Sequence, residues 1–361
     1  SELTTSQTVT TSHWWASTRP TGACSCSWAG GAERRASRAG SYRSAIGAFL
    51  IAILAGCSPS GTEHRAVFAV FGTEVELQVR EASAGQAQAV FGDVGALLQG
   101  LHMELHPWED GALMDLNRAI AAGETHETTP NITKLIEAGQ ALEAATEGAF
   151  NPAIGALVNL WGFHTSSYPI TEPPPAAGEI EALLALSPST RDLELDGRIV
   201  QSRNPAVRLD FSGIAKGLAV KRVCEIVTTH QIESAMVNAG GDVMVCSVGE
   251  RPWRVAVRGP DGGVLETLEI DRPLAVFTSG NYYRFGEFDG ERYAHILDPA
   301  TGRPSNAFMQ ATVIDPDPLA ADAGATALVV AGMARWRNAA GALRLDRAMV
   351  TSLDGKVLQF P

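Results

Sequence analysis

Basic residues are scarce in this chain of 361 residues, in which 28 Lys and Arg face 40 Asp and Glu and leave a formal net charge of −12. A nucleic-acid-binding domain shows the opposite imbalance, because its surface has to neutralise phosphates. The sequence also lacks internal repeats of fixed period and sustained apolar heptads, which excludes solenoid repeats and coiled coils. Nucleic acid is therefore not an expected partner.

The apolar run from Ala45 to Gly56 is too short to span a bilayer, but it has the length of the hydrophobic region of a signal peptide. Arginines precede this run, and it ends in Leu54-Ala55-Gly56-Cys57, which resembles a lipobox. We expect Cys57 to be lipidated and to anchor the protein to a membrane of the cell envelope, with its folded domain extracytoplasmic, on the periplasmic side. A short buried helix with a chance cysteine is the alternative.

Residues 1–57 are accordingly predicted to be an N-terminal extension with a lipoprotein signal peptide, and residues 58–361 a single functional domain. Cysteine is rare, and none of the five cysteines forms a cluster with metal-ligand spacing. Cys24 and Cys26 lie in the N-terminal stretch. Cys224 and Cys246 occur singly in apolar surroundings, which favours buried thiols. A disulfide between them is the alternative, since spacing alone does not decide.

Helices and strands are mixed along the chain, and 36 glycines and 19 prolines argue against a helical bundle. Val75, Leu77 and Val79 alternate with polar residues, which predicts a half-buried strand. Similar reasoning predicts a strand pair over 66–80, helices over 86–105, 131–147 and 213–229, a hairpin over 192–211, short strands over 234–314 and a last helix from Leu319. These elements predict an α+β fold with mostly antiparallel sheets packed with helices, rather than a doubly wound sheet.

The segment Leu209–Gly217 predicts a strand end, a turn at Asp210 and a helix that begins near Lys216. A helix N-terminus offers free N–H groups and a positive dipole end to phosphates, and a lysine there adds charge. An ordinary capped helix with a solvated lysine explains this segment equally well when it is taken alone.

Five further blocks accompany this segment in a fixed order, and together the six resemble the ApbE-type FAD:protein FMN transferases over roughly residues 66–335. The blocks are Glu147–Pro152 running into Val158–Phe163, Leu209–Gly217, Asn238–Asp242, Thr278–Tyr282, His295–Gly302 and Ala321–Ala327. The resemblance implies an exported bacterial enzyme that uses Mg²⁺ to transfer FMN from FAD to a Ser or Thr of an acceptor flavoprotein, with release of AMP. Hydrolysis of FAD to FMN and AMP, and a non-catalytic flavin-binding lipoprotein, are the alternatives.

The resemblance also assigns the site residues. FAD contacts fall on Phe71, Trp108, Ala149, Phe150, Asn151, Asp210, Lys216, Asn238, Gly240, Gly241, Asp242 and His295. Magnesium ligands fall on the backbone carbonyl of Gly213 and on Asp322 and Thr326, whose spacing of four places both side chains on one face of a helix. Oxygen atoms of these kinds suit Mg²⁺. His295 and Asp298 are the two candidates for the base that deprotonates the acceptor.

Three departures from the family pattern bear on this site. Phe71 stands where the family has a methionine, and Trp108 is only an approximate match for the family's aromatic residue. Asn151 and Asn281 occupy positions at which many members have aspartate, so negative charge has been lost there.

Overall fold

The computed structural model describes residues 63–361, in which helices alternate with antiparallel strands. The predicted lipidation site Cys57, the cysteines Cys24 and Cys26, and the boundary between residues 57 and 58 lie outside the described residues. Those assignments therefore stay predictions. Within residues 63–361, no helix is both long and apolar enough to cross a membrane.

The helices are α1 (Ala84–Glu104), α2 (Ala112–Ala122), α3 (Pro130–Ala145), α4 (Gly155–Leu160), α5 (Ala177–Ala185), α6 (Ala215–Thr229) and α7 (Pro318–Ala342). The strands are β1 (Glu63–Val70), β2 (Thr73–Arg80), β3 (His126–Glu127), β4 (Leu193–Asp196), β5 (Ile199–Ser202), β6 (Ser234–Ala239), β7 (Asp242–Val248), β8 (Trp253–Arg258), β9 (Val264–Ile270), β10 (Leu274–Gly280), β11 (Phe285–Phe288), β12 (Glu291–Ala294), β13 (Leu297–Asp298), β14 (Arg303–Pro304), β15 (Phe308–Asp315), β16 (Arg347–Ser352) and β17 (Val357–Phe360).

One eight-stranded sheet organises the fold, in the order β1-β2-β6-β7-β10-β15-β16-β17. Every neighbouring pair in this sheet is antiparallel. The remaining strands form small sheets of two or three strands, among them the β8–β9 hairpin. The prediction of an α+β fold with mostly antiparallel sheets is therefore confirmed.

The side-chain alternation of the central strands separates two hydrophobic cores, one on each face of the sheet. Ala275 and Phe277 of β10 belong to the larger core, which contains the buried faces of α1, α6 and α7. Val276, between them, belongs to a second core that β8 and β9 cover, with Trp253 at its centre. The three helices consequently lie on one face of the sheet and the β8–β9 hairpin on the other.

Most of the predicted elements are present, with three corrections. Helix α6 begins at Ala215 rather than residue 213. The hairpin predicted over 192–211 is shorter, because β4 and β5 occupy only residues 193–202. Helices α2, α4 and α5 were not predicted; α4 has only 6 residues and α5 only 9, too few turns to give a clear period.

Cys224 and Cys246 form a disulfide that joins α6 to β7, so the interpretation of these residues as buried thiols is wrong. Their Cα atoms are 5.1 Å apart, a separation that a disulfide can bridge. The helix and the strand become neighbours only in the folded chain, so linear spacing gave no means of choosing the disulfide.

The N-terminal turns of α6 and α7 approach each other closely because residue 217 is a glycine. A Cβ placed on Gly217 would stand 2.5 Å from the carbonyl oxygen of Pro318 and 3.0 Å from Cβ of Asp322. Any side chain at this position would push the two helices apart. The N-terminal turns that carry Lys216 and Asp322 can therefore pack this closely only because residue 217 has no side chain.

Substitution Gly217→Ala is therefore expected to reduce the free energy of unfolding by about 1–3 kcal/mol, the usual effect of overpacking a core. Urea denaturation would measure the change. Gly100→Ala is the matched control, because Gly100 lies in α1 with open space where its Cβ would stand. There alanine should stabilise the helix by about 0.5–1 kcal/mol. Equal effects at the two positions would contradict the packing argument.

Candidate functional site

Charged residues from three elements, α6, β7 and α7, meet beside the C-terminal end of β10. Lys216 of α6 forms an ion pair with Asp242, the first residue of β7, and only 4% of the Asp242 side chain is exposed. The second carboxylate oxygen of Asp242, Oδ1, accepts a hydrogen bond from the backbone N–H of Thr278 at 2.8 Å. The carboxylate of Asp322, in α7, is also buried, and its Oδ2 accepts from the backbone N–H of Gly217 at 2.7 Å.

The buried charges influence one another. Burial alone would lower the pKa of Lys216, but the neighbouring carboxylates of Asp242 and Asp322 raise it above its ordinary value. Burial raises the pKa of Asp322 to about 7, an effect that the charge of Lys216 opposes and that of Asp242 increases. Two carboxylates therefore share one lysine, and a further cation beside Asp322 would favour its ionised form.

Two hydroxyl groups and the backbone of Gly213 lie close together beside this ion pair. Thr326 lies one turn after Asp322 in α7, and its Oγ1 is 3.0 Å from the hydroxyl of Ser279. A Cβ placed on Gly213 would be 3.7 Å from the same Oγ1. The structure thus brings together all three residues predicted to hold a metal and adds Ser279, which the sequence analysis missed.

Two features make these oxygens available to a cation. The N–H of Gly217 donates to Asp322 instead of the Gly213 carbonyl, so within residues 63–361 that carbonyl oxygen accepts no hydrogen bond. Oδ1 of Asp322 likewise makes none with the described residues. In the same part of the chain, no group of three or more His, Cys, Asp or Glu could hold a metal ion. One carboxylate with neutral oxygens is the donor set that Mg²⁺ uses when a phosphate completes its coordination.

His295 is fixed as a neutral imidazole. Its Nδ1 lies 3.0 Å from the backbone carbonyl of Arg284, and a carbonyl only accepts, so Nδ1 carries the proton. Nε2 makes no hydrogen bond within residues 63–361. Burial, together with the charges of Arg284 and Lys216, lowers the pKa of His295 to about 4. Nε2 therefore presents a free lone pair at neutral pH.

Asp298, the other candidate base, has a structural role in the turn that follows β13. Its Oδ1 accepts from the N–H of Ala300 at 2.9 Å, and its backbone carbonyl accepts from the N–H of Gly302 at 2.8 Å. Its side chain faces a cavity of about 490 Å³ whose walls include Ala149 and Asn151. No hydrogen bond joins the side chains of Asp298 and His295 among the described residues.

Ala149, Phe150 and Asn151 lie where α3 gives way to α4. Both ends of the Asn151 amide are hydrogen-bonded, because Nδ2 donates to the carbonyl of Pro188 and Oδ1 accepts from the N–H of Ala153, both at 2.9 Å. Phe150 is buried, and its ring lies 3.2 Å from the position of a Cβ on Gly213. Phe150 therefore packs against the loop that carries Gly213, and Ala149 and Asn151 line the cavity.

Two tight turns, Phe71-Gly72 and Gly240-Gly241, form one rim of the site. Both residues of each turn have positive φ, which favours glycine. A Cβ on Gly240 would also overlap the hydroxyl of Thr73, so this glycine lets the two turns lie side by side. Asn238 accepts the N–H of Gly241 through Oδ1 at 2.8 Å and holds its own turn in shape. The double glycine thus has a structural function whether or not a ligand approaches it.

A row of aromatic rings leads from Phe71 to Asp210 through His102, His106, Trp108 and His164. Successive ring centroids are 5.6, 5.3, 4.5 and 5.3 Å apart, and Trp108 stacks on His164. Burial lowers the pKa of His106, against the attraction of Glu109. The rings from Phe71 to Trp108 meet edge to face, and only Trp108 and His164 are stacked, so the exposed Trp108 is the member of the row on which a flavin could stack.

The pair His164 and Asp210 was not predicted. Nε2 of His164 lies 2.9 Å from Oδ2 of Asp210, and both side chains are buried. Burial would raise the pKa of the Asp210 carboxyl, but the hydrogen bonds from His164 and Ser212 prevail and lower it. His164 directly follows the Trp161-Gly162-Phe163 block, yet 46 residues separate it from Asp210, and no spacing in the sequence connects them.

Comparison with known proteins gives a consistent result. A model of the ApbE family matches residues 71–350. A FAD:protein FMN transferase of Rhodobacter capsulatus is 37% identical over 81% of this chain, and the chain spans only 56% of that protein's length. A FAD:protein FMN transferase of Vibrio cholerae is 30% identical over 84% of this chain and 91% of its own length.

Solved structures show the same similarity. The crystal structure of an ApbE protein from Thermotoga maritima has a TM-score of 0.74 and 28% identity, covering 83% of this chain and 97% of its own. The apo form of the flavinyl transferase ApbE from Pseudomonas stutzeri has a TM-score of 0.72 and 29% identity, covering 83% of this chain and 94% of its own.

Proposed function

The chain belongs to the ApbE family, and on that premise we propose that it transfers FMN from FAD to a Ser or Thr hydroxyl of an acceptor flavoprotein, with release of AMP. Two relatives named FAD:protein FMN transferase support this activity. The observation that carries the proposal is the cluster of Lys216, Asp242, Asp322 and Thr326, which lies within electrostatic reach of His295 through the charge of Lys216.

The proposed reaction is a phosphoryl transfer. The acceptor oxygen forms a bond to the FMN-side phosphorus of FAD, and the bond from that phosphorus to the bridging oxygen breaks. The acceptor's proton passes to Nε2 of His295, and AMP leaves with the bridging oxygen as a phosphate monoester. His295 is the better base of the two candidates, because its Nε2 is free whereas Asp298 is committed to its turn.

Lys216 and the N-terminus of α6 provide positive charge for the diphosphate. Asp322, Thr326 and the Gly213 carbonyl would hold Mg²⁺, since their oxygens are hard donors, and Oδ1 of Asp322 and the Gly213 carbonyl accept no hydrogen bond from the described residues. When bound, the ion supplies charge neutralisation on the diphosphate oxygens. Asp242 holds the ammonium of Lys216 in place, and Trp108 of the aromatic row offers a stacking surface for the isoalloxazine ring.

The decisive experiment is incubation with FAD, Mg²⁺ and a candidate exported flavoprotein domain, followed by mass measurement of that domain. A mass increase equal to one FMN on a Ser or Thr supports transfer. AMP and free FMN without modified acceptor would instead indicate hydrolysis, and bound FAD without AMP release would indicate a flavin-binding protein.

We further propose that the protein acts outside the cytoplasm, anchored by lipid at Cys57. The disulfide between Cys224 and Cys246 supports this location, because disulfides persist in oxidising compartments and are rare in the cytosol. The sequence around Cys57 supports a lipid anchor rather than a spanning helix.

Replacing Cys57 with alanine is expected to move the protein from the membrane fraction to the soluble envelope fraction, because the variant has no thiol to lipidate. Fractionation and immunoblotting would measure the change. Cys24→Ala is the matched control and should leave the protein with membranes. Unchanged fractionation of the Cys57 variant would reject the lipid anchor.

A further inference from the structure

Arg284 lies in the loop between β10 and β11, next to the residues described above. Its guanidinium nitrogen Nη2 is 3.5 Å from the position of a Cβ on Gly72, so it lies against the Phe71-Gly72 turn. Its charge lowers the pKa of His295 and opposes the rise in the pKa of Lys216, which places the guanidinium within electrostatic reach of both. Its backbone carbonyl accepts the hydrogen bond that orients His295.

No carboxylate in residues 63–361 neutralises this guanidinium. Lys216 is paired with Asp242, and the nearby Arg292 is paired with Glu287 at 2.9 Å. Arg284 makes no ion pair with any described residue, although it is partly buried. Burying a cation without a partner is costly, so the arrangement is suited to an anion that arrives with the substrate.

We infer that Arg284 binds the diphosphate of FAD opposite Lys216. The sequence analysis did not assign this residue to the site, and it is not one of the predicted metal ligands. This inference rests on the proposed function. A diphosphate carries two negative charges, whereas the charge of Lys216 is already shared between Asp242 and Asp322. A guanidinium supplies both the missing charge and a planar fork that matches two phosphate oxygens.

The test is Arg284→Gln, which removes the charge but keeps the backbone carbonyl that holds His295. The dissociation constant for FAD should rise about 10- to 100-fold, the equivalent of losing a charged hydrogen bond of roughly 1.5–3 kcal/mol. Affinity for riboflavin, which has no phosphate, should stay at the wild-type value. Fluorescence titration measures both ligands. Arg284→Lys should restore part of the FAD affinity, because it keeps the charge without the fork.

A second readout follows from the position of Arg284 beside His295. Loss of the Arg284 charge removes one of the two cations that lower the pKa of His295, while Lys216 remains. The acid limb of the pH profile for flavin transfer should therefore move to higher pH. Arg292→Gln is the control, since Arg292 is exposed and pairs with Glu287, and it should change neither readout.

The outcomes separate this inference from the proposed function. Equal losses of FAD and riboflavin affinity, or an unchanged FAD affinity, overturn the role of Arg284. If Arg284→Gln lowers the melting temperature, Arg284→Lys is compared instead. A loss of FAD affinity without a loss of riboflavin affinity in that variant supports the role of Arg284, and equal losses or an unchanged FAD affinity overturn it. Wild-type protein that binds FAD but modifies no acceptor overturns the transferase proposal, yet leaves the comparison of FAD with riboflavin valid.

Discussion

Asp322→Asn is expected to leave FAD bound and to lower both AMP release and flavin transfer by about 10²–10³-fold, the usual loss when one electrostatic stabiliser of a transition state is removed. Asparagine keeps an oxygen for the N–H of Gly217, so the contact between α6 and α7 survives. What is lost is the only carboxylate of the predicted Mg²⁺ site. Coupled detection of AMP and titration of FAD would measure the two effects separately.

The control for this substitution is Asp322→Ala, which removes the charge and the hydrogen bond to Gly217 together. Its activity should fall at least as far, with an additional loss of stability. Excess Mg²⁺ should restore either variant only in part, because Mg²⁺ depends on carboxylates to remain bound. Transfer at the wild-type rate in Asp322→Asn would remove Asp322 from the metal site.

The raised pKa of Asp322 adds a pH dependence to the same prediction. In the metal-free protein its carboxyl has a pKa of about 7, so it is ionised above that pH and protonated below it. Protons and Mg²⁺ should therefore compete, and the Mg²⁺ concentration that gives half-maximal activity should rise as the pH falls through about 7. A Mg²⁺ requirement that does not change with pH would contradict this competition.

His295→Asn is expected to lower the rate of flavin transfer by about 10²–10⁴-fold, the contribution typical of a positioned general base. The asparagine amide can still donate to the carbonyl of Arg284, so the loop between β10 and β11 keeps its shape. FAD affinity should stay close to that of the wild type. Single-turnover measurement of acceptor modification would isolate the chemical step.

Asp298→Asn provides the matched comparison, because it removes the competing base while keeping an oxygen for the N–H of Ala300. It should cost far less activity than His295→Asn, and the reverse order would assign the base to Asp298. The pH dependence of flavin transfer by the wild type offers a further check. A base with a pKa of about 4 is active above that value, and activity should be lost as the pH falls through it.

The sequence predicted the parts of the site that are local. Asp322 and Thr326 share one helical face, so their spacing alone placed them together. Lys216 in the first turn of α6 and the glycines of the β6–β7 turn were also recognisable, because each lies within one short, continuous segment of the sequence. Val75, Leu77 and Val79 of β2 alternate with polar residues. This pattern likewise predicted which face of the strand is buried, and all three residues belong to the larger core.

Contacts made across the fold were not predictable in this way. His164 contacts Asp210, and Cys224 meets Cys246, only because the sheet brings distant segments together. Arg284 was passed over because nothing in a loop sequence indicates that a guanidinium has no carboxylate near it. Asn238 and Asn151 were expected to contact FAD. The side chain of Asn238 proves to be bonded within its own turn, and that of Asn151 to the N–H of Ala153 and the carbonyl of Pro188. Their roles at the ligand remain predictions.

The hydrogen bond from Gly217 to Asp322 joins residues 105 positions apart and has a consequence for folding. Contacts with such separation form late, because the entropy of closing a long loop must be overcome before they contribute. Strand β15, which directly precedes α7 in the chain, also pairs with β10, whose first residue lies 41 positions before Asp315. Recovery of activity during refolding should thus coincide with the last cooperative step, and a nascent chain should remain inactive until α7 has been synthesised.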